Sequence, residues 1–492
     1  MKTLILGLSL LILSGCTNKF LELYPKTTLN EGNFYQTEVE YILLANGTYV
    51  PMRDYEKTFH WVLAELISDN ASFQNNTRTG EASRGVIDQF ILTSDNVAYS
   101  NFWNLSYNGV TRCNKLLSEL ERPNVNWSKL SYKDRCAGEA YFMRALYYLN
   151  LVRQFGGVPL VLTPIGSQEA VNVKRGTEDE IYASIISDLK QAATRFANAR
   201  DVEETGRANE QAALALLGKV YLTRKSYAEA ETTLKSVITA GKYSLQPNYA
   251  DLFNPASKDY KETIFAVQYS ENSVDLSSRF LFWFAPHTSA GAVTKRPNIN
   301  IIGAGWNQPT QDLINAFEPG DKRKDVSIGF WTGVDWDSQT RAIPYCAKYK
   351  PPVSAPDDRC SDNLPVLRYS DVLLMYAETL NELGRTSEAL PFVQQVRTRA
   401  GLTNPLTGLD KTALQTLIAK ERQVEFCFEN QRWYDLKRTG KAVEVMNAHG
   451  LREKAQKTFL YPEAYTVTPN KLVAPVPNIE VLVNKIAQNP GY

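Results

Sequence analysis

Histidine is scarce in this 492-residue chain: only His60, His287 and His449 occur, far apart in sequence. No HExxH, CxxC, GxSxG or Walker A pattern is present. That removes the usual sequence warrants for a zinc hydrolase or zinc ribbon, a thioredoxin-like redox site, a serine hydrolase or a nucleotide-binding loop. Charge of one sign is also missing. Lys and Arg number 54 against 53 Asp and Glu, a formal net charge of +1 with no long run of either sign. A nucleic-acid partner, or an anionic membrane held by basic patches, is thereby disfavoured. Long apolar runs are absent apart from Leu4–Leu13, which is shorter than the ~20 apolar residues a spanning helix needs.

That one run has a signal-peptide layout: Lys2, a short apolar stretch, then small residues. Leu13-Ser14-Gly15-Cys16 resembles the bacterial lipobox, which implies removal of residues 1–15 and lipidation of Cys16 as the first mature residue. A signal followed by a chance cysteine is the alternative. Each buried CH₂ of an acyl chain adds ~0.8 kcal/mol, so several chains hold a soluble domain at a membrane. Five cysteines remain, an odd number, so at least one is a free or intermolecular thiol. Cys346 and Cys360 flank a Pro-rich segment and are expected to be able to pair in an oxidising envelope. Cys113 and Cys427 lie in helical patterns and are expected as buried thiols.

The remaining composition is that of a globular protein, 43% hydrophobic and 22% charged, rich in aromatics with 26 Tyr, 20 Phe and 8 Trp. Most long segments read as helices. Asp134–Gln154 is apolar on nearly every face and predicts a buried helix, stopped at Gly156-Gly157 and Pro159. Within it Glu139 and Arg144, five apart, do not face each other, so each needs a partner elsewhere. Ala208, Ala212, Ala215 and Gly218 form a small-residue stripe, followed by a second helix, Tyr227–Ala240. Leu217, Gly218, Tyr221, Ala230, Leu234 and Val237 fall at tetratricopeptide spacing. The pattern returns with Ala377, Leu380, Ala389, Val393 and Val396. Two such pairs so far apart predict a mainly α, tetratricopeptide-like helical-repeat scaffold, interrupted rather than continuous. Patterns at Val39–Met52, Val97–Leu120 and Asp134–Gln154 could complete it. Between the pairs, residues 247–365 are rich in Gly, Pro, Asn and aromatics. This stretch reads as a loop-rich elaboration with short strands, Thr263–Tyr269 among them, and one helical pattern at Thr310–Phe317. Residues 16–492 are expected to form one compact unit.

Several segments, in order, carry a specific resemblance: KFLELYPKTTL after Cys16, ELISDN, WNLSYNGVTRCN, GEAYFMRALYYLNLVRQFGGVPLV, GRANEQAALALLGKVYL, PTQDLINAFEPGDKR, LRYSDVLLMYAETLNELG, IAKERQVEFCFENQRWYDLKRTG and the final QNPGY. On these the chain resembles the SusD/RagB-type outer-membrane lipoproteins from Cys16 to Tyr492. The resemblance implies about four tetratricopeptide-like pairs, a lipid anchor in the outer membrane facing the cell exterior, and a SusC-type TonB-dependent transporter as partner. It also implies capture of oligosaccharide for import, or of peptide in some members. Two departures are visible. Thr17-Asn18-Lys19-Phe20-Leu21-Glu22 carries one acid where the surface-export signal is usually acidic, which leaves a periplasmic face open. Asn430 follows Glu429 where a Gly is common; Asn also tolerates the left-handed conformation.

Catalysis has little support. Glu421, Glu425 and Glu429 could form an acid/base set, but their placement in the scaffold favours ion pairs with arginines such as Arg422, Arg432 and Arg438. Asp335-Trp336-Asp337 offers two acids in a turn, weak grounds for calcium. No cofactor or metal is expected, and no enzyme. Binding is better supported, because a sugar needs a flat aromatic platform and amide, carboxylate or guanidinium groups for its hydroxyls. One candidate segment supplies Asp69, Asn70, Phe73, Gln74, Asn75 and Arg78; the other supplies Asn300, Trp306 and Asn307, with Trp283 upstream. Family resemblance implies that both segments contribute to the ligand site, and that Trp306 is the platform. Asp69 and Asn70 could instead be a turn or helix cap, and Trp103 and Trp433 are expected in the core. A peptide-capturing protein of the same architecture, or a tetratricopeptide scaffold for proteins alone, remain alternatives.

Overall fold

The computed structural model describes residues 35–75, 82–123, 125–258, 261–295, 303–351 and 358–492. Cys16, Arg78, Asn300 and the leader lie outside the described residues. Among the described residues no helix is long and apolar enough to cross a membrane. The longer helices are α1 (Glu38–Tyr55), α2 (Val97–Glu119), α3 (Leu130–Phe155), α4 (Glu178–Asn198) and α5 (Glu210–Thr223). They continue as α6 (Tyr227–Thr239), α7 (Tyr369–Glu382), α8 (Thr386–Arg399), α9 (Lys411–Glu425) and α10 (Ala442–Gln456). From α1 to α9 each packs on the next, so the two tetratricopeptide-like pairs, α5/α6 and α7/α8, are spatial neighbours across the α6–α7 contact. The array expected to be discontinuous is therefore continuous in space; only the chain leaves it, between α6 and α7.

Close approach follows from small residues. A Cβ on Gly218 would lie 2.4 Å from Leu234 Cδ2, and one on Gly138 would lie 2.8 Å from the Phe196 ring. Helix α1 contains Pro51, which has no N–H for the Gly47 carbonyl. Arg112 of α2 donates to that carbonyl instead, at 3.1 Å. Tyr147 of α3 inserts its hydroxyl next to it, accepting from the Met52 N–H at 3.0 Å and donating to the Thr48 carbonyl at 2.6 Å. Past Tyr55 the helix widens into two π turns, Glu56–His60 and Val62–Leu66, which carry Trp61 into the core.

Among the described residues, strands of the elaboration take part in three two-stranded antiparallel ladders. Strand β1 (Ala71–Ser72) pairs with β3 (Gln308–Pro309), β2 (Thr263–Val267) with β6 (Leu364–Arg368), and β4 (Ile328–Val334) with β5 (Thr340–Cys346). Its attachment to the scaffold is ionic and buried. Arg323 is fully buried against Asp321 (2.7 Å), Glu421 (2.5 Å) and Glu425 (3.0 Å). Arg368 holds Glu262, Glu425 and Glu429 at 2.6, 2.7 and 2.8 Å, and Lys348 meets Glu429 at 2.7 Å. Burial alone would raise the Glu425 carboxyl; Arg399, Arg368 and Arg323 outweigh it and hold it well below its usual value.

The three glutamates thus form ion pairs as expected, but with other partners. Arg422 serves Asp371 and Asp435, Arg432 serves Asp69, and Arg438 serves Glu378 and Asp435. Glu429 also lies beyond the end of α9 rather than on its face. Glu139 pairs with Arg207 and Arg144 with Asp188, each across to another segment. Asn430 takes φ +60°, the left-handed conformation that Asn tolerates. Cys346 and Cys360, whose pairing the sequence left open, are not bridged: Cys113, Cys136, Cys346, Cys360 and Cys427 are all buried free thiols. Trp103 and Trp433 lie in the core, as expected.

Candidate ligand-binding site

The β1–β3 ladder is short, but it brings together the two segments singled out in the sequence. Ala71 faces Pro309 and Ser72 faces Gln308. The Thr310 N–H donates to the Asn70 carbonyl at 3.1 Å, and the Gln74 N–H to the Gly305 carbonyl at 2.8 Å. A third segment joins them: Ala304, Gly305 and Trp306 donate to the carbonyls of Phe282, Ala285 and Trp283 at 2.8–2.9 Å. Gly305 has φ +73°, and a Cβ there would lie 2.8 Å from the Gln74 Cβ, so this crossing requires glycine.

Gln74 clasps the assembly. Its Oε1 accepts from the His287 N–H at 2.8 Å, and its Nε2 donates to Thr288 Oγ1 at 2.8 Å and Asp335 Oδ1 at 2.7 Å. Asp335 begins the turn of the β4–β5 hairpin, which places Trp336 against His287 with ring centroids 4.8 Å apart. Around these groups lies a cleft of about 550 Å³. Phe73, Trp336 and Phe459 supply its rings; Asn75, Gln308 and Asp337 are among its polar groups.

The expected residues divide into layers. Phe73, Gln74 and Asn75 line the cleft. Trp306 does not reach its surface: it is buried, with its ring 5.5 Å from Phe73 and 6.5 Å from Trp61. Trp283, half-buried, accepts from the Trp306 N–H, and the Arg84 guanidinium sits 5.6, 4.7 and 5.7 Å from the ring centres of Trp61, Trp283 and Trp306. Asn307 is buried at φ +47°. Asp69 and Asn70 are turned inward, a correction to their expected role. Asp69 binds Arg432 at 2.8 Å through both oxygens, while Asn70 donates to Glu65 and accepts from Gln423, each at 3.0 Å. Buried carboxylates need such partners, and these two residues anchor β1 to the α9 end of the scaffold.

Sequence reasoning missed Phe459 and Lys457, which follow α10 and carry no local signal. It noticed Trp336 only through its flanking acids. Those acids are committed to Arg341, Asp335 at 3.3 Å and Asp337 by a short contact. The Gln339 N–H and Arg341 hold the Asp337 carboxyl below its usual value. Lys457 pairs with Glu453 and donates to Ser72 Oγ at 2.7 Å. Among the described residues, no group of three or more His, Cys, Asp or Glu is placed to hold a metal ion. Rings beside fixed amides and ion pairs suit reversible recognition of a polar, ring-shaped ligand.

The chain is similar to known proteins over nearly its whole length. Residues 238–492 match the family described as "SusD family", and residues 19–222 match one described as "Starch-binding associating with outer membrane". SusD-like protein P2 of Formosa agariphila is 27% identical, covering 98% of each chain. SusD-like protein P25 of the same organism is also 27% identical, over 96% of each. Among solved structures, a laminarin binding SusD-like protein superposes with a TM-score of 0.77 at 26% identity, covering 93% of this chain and 100% of that one. A SusD superfamily protein from Parabacteroides distasonis gives 0.75 at 25% identity, covering 92% and 99%. With more than half the chain inside the first family match, and an α-helical array of the same fold as these structures, this chain belongs to the outer-membrane-associated SusD/RagB family.

Proposed function

We propose that this protein is a lipid-anchored outer-membrane protein, tethered at Cys16, that captures oligosaccharides for import by a SusC-type TonB-dependent transporter. The observation that carries the reading is the cleft, where Phe73, Trp336 and Phe459 stand beside Asn75, Gln308 and the Asp335–Asp337 turn. Flat rings take the C–H faces of a sugar, and amides and carboxylates take its hydroxyls. The glycan-binding names among its relatives support the same ligand class. A few solvated contacts of this kind give roughly micromolar to millimolar Kd, about −4 to −8 kcal/mol, which suffices where a tether raises the local concentration at a transporter mouth. Calorimetry of the mature chain against a panel of oligosaccharides, laminarin fragments included, tests this. Binding weakened at least tenfold by Trp336→Ala, with unchanged circular dichroism, supports it; heatless titrations across the panel overturn it. Palmitate labelling of the expressed chain, lost in Cys16→Ser, tests the anchor. Co-purification of a TonB-dependent transporter from native membranes tests the partner.

A further inference from the structure

A second cavity, of about 240 Å³, lies inside the helical array, away from the cleft. It is lined by the C-terminal ends of α3 and α5, the start of α4, α7, α9, the short helix Arg432–Arg438 and Leu472-Val473. Its walls carry six cations: Arg153, Lys219, Arg224, Arg422, Lys437 and Arg438. Four are neutralised. Lys219 meets Asp371 at 2.7 Å, Arg422 meets Asp371 at 2.8 Å and Asp435 at 2.9 Å, Arg438 meets Asp435 and Glu378, and Arg224 meets Asp179.

Arg153 and Lys437 are different. Neither has an ion-pair partner among the described residues; Glu178, also on the wall, is an acid whose charge acts on Lys437. Both sit over the same Tyr434 ring, at 3.8 and 5.6 Å from its centre. Lys437 Nζ donates to the Arg153 and Leu472 carbonyls, and the Arg153 guanidinium donates through Nη2 to Asn150 Oδ1 and meets no carboxylate among the described residues. Burial and the Arg153 charge push the Lys437 ammonium down to about 7, against Glu178, which raises it. Two cations over one ring, neither in an ion pair among the described residues, are an unbalanced arrangement. One negatively charged acceptor would balance it.

We propose that this cavity is a binding site for a small free oxyanion of the phosphate or sulfate class, held between Arg153 and Lys437. The cavity is below the about 300–1,000 Å³ of pockets that take larger organic ligands. Arginine and lysine donors match such an anion, the guanidinium through its planar fork. The site does not depend on the glycan reading.

Two measurements on the mature chain test it. Crystals soaked in selenate should show an anomalous peak within hydrogen-bond reach of Lys437 Nζ and the Arg153 guanidinium. In solution at constant ionic strength, sulfate or phosphate should raise the melting temperature above that in chloride with a saturating dependence at millimolar concentration, unlike the non-saturating stabilisation that concentrated sulfate gives any protein. The half-maximal concentration should increase at least tenfold in Arg153→Met and in Lys437→Met. An empty cavity in the soaked crystals overturns the proposal. So does a peak without a saturating solution preference over chloride, which marks an adventitious ion only. If neither variant folds, saturation of the wild-type response at millimolar sulfate decides together with the crystal.

Discussion

The rings of Trp306 and Phe73 meet with centroids 5.5 Å apart and 38° between their planes, which sets Trp306 one layer beneath the cleft. Phe73 is the ring that lines the cleft, and it rests on Trp306. Removing either therefore acts differently from removing Trp336 at the hairpin tip. Trp306→Ala should lower stability by about 3–5 kcal/mol, the usual range for truncating a buried aromatic, and weaken glycan binding through loss of Phe73's support. Trp336→Ala should weaken binding with little loss of stability. Urea unfolding beside calorimetry separates the two, and an unaltered unfolding midpoint for Trp306→Ala would contradict the layering.

The scaffold was legible because its determinants are local. Apolar periodicity, the Gly218 stripe and the glycine stops each lie within one helix pair, so spacing alone identified α3, α5/α6 and α7/α8. The site depends on contacts across more than 200 residues. Asp69 looked like a ligand residue because a carboxylate in a polar loop reads as exposed; its partner Arg432 lies 363 positions away. Trp306 in a Gly- and Asn-rich loop gave no hint that Trp61 and Arg84 would enclose it. Phe459 was invisible because the end of α10 and the loop after it meet β1 only in three dimensions. Glu421, Glu425 and Glu429 were rightly seen as ion-paired, yet their partners come from the elaboration and from α8, which helical spacing cannot indicate.

The helix contacts make a paired prediction about glycine. At Gly218 a methyl group would enter Leu234, 2.4 Å from its Cδ2, so Gly218→Ala should destabilise by about 1–3 kcal/mol despite better helix propensity. At Gly47 in α1 a Cβ would meet just Arg112 Nη1, at an ordinary 3.7 Å. Gly47→Ala should therefore stabilise by about 0.5–1 kcal/mol. Opposite signs in parallel denaturant melts are the expected result; a gain at Gly218 would show that the α5–α6 contact is looser than drawn.

Arg323 offers the clearest test of what joins the elaboration to the array. It is buried among Asp321, Glu421 and Glu425, and no solvent is available to a carboxylate it abandons. Arg323→Met should cost about 3–5 kcal/mol, since stranding buried charge is worse than losing a surface pair. Mutating Arg200, whose side chain is 67% exposed beside Glu210, should change stability by less than about 1 kcal/mol. Comparable losses from the two substitutions would sink the idea that buried pairing holds these parts together.

Asp88 gives a pH signature near the cleft. It accepts from the Tyr465 hydroxyl at 2.7 Å and Ser72 Oγ at 3.3 Å. Burial pushes its carboxyl up to about 7, against Lys457 and the Tyr465 hydroxyl, which pull it down. The unfolded value is about 3.9, so the folded state holds this proton more tightly than the unfolded chain. Its contribution to stability is fully present below pH ~4 and is lost as pH rises through about 7. Asp88→Asn cannot titrate. The stability of the wild type relative to this variant should thus fall by on the order of 4 kcal/mol between pH 4 and pH 8, read from urea unfolding at several pH values. Parallel profiles for the two proteins would place the proton elsewhere and leave the Asp88 carboxylate charged beneath β1.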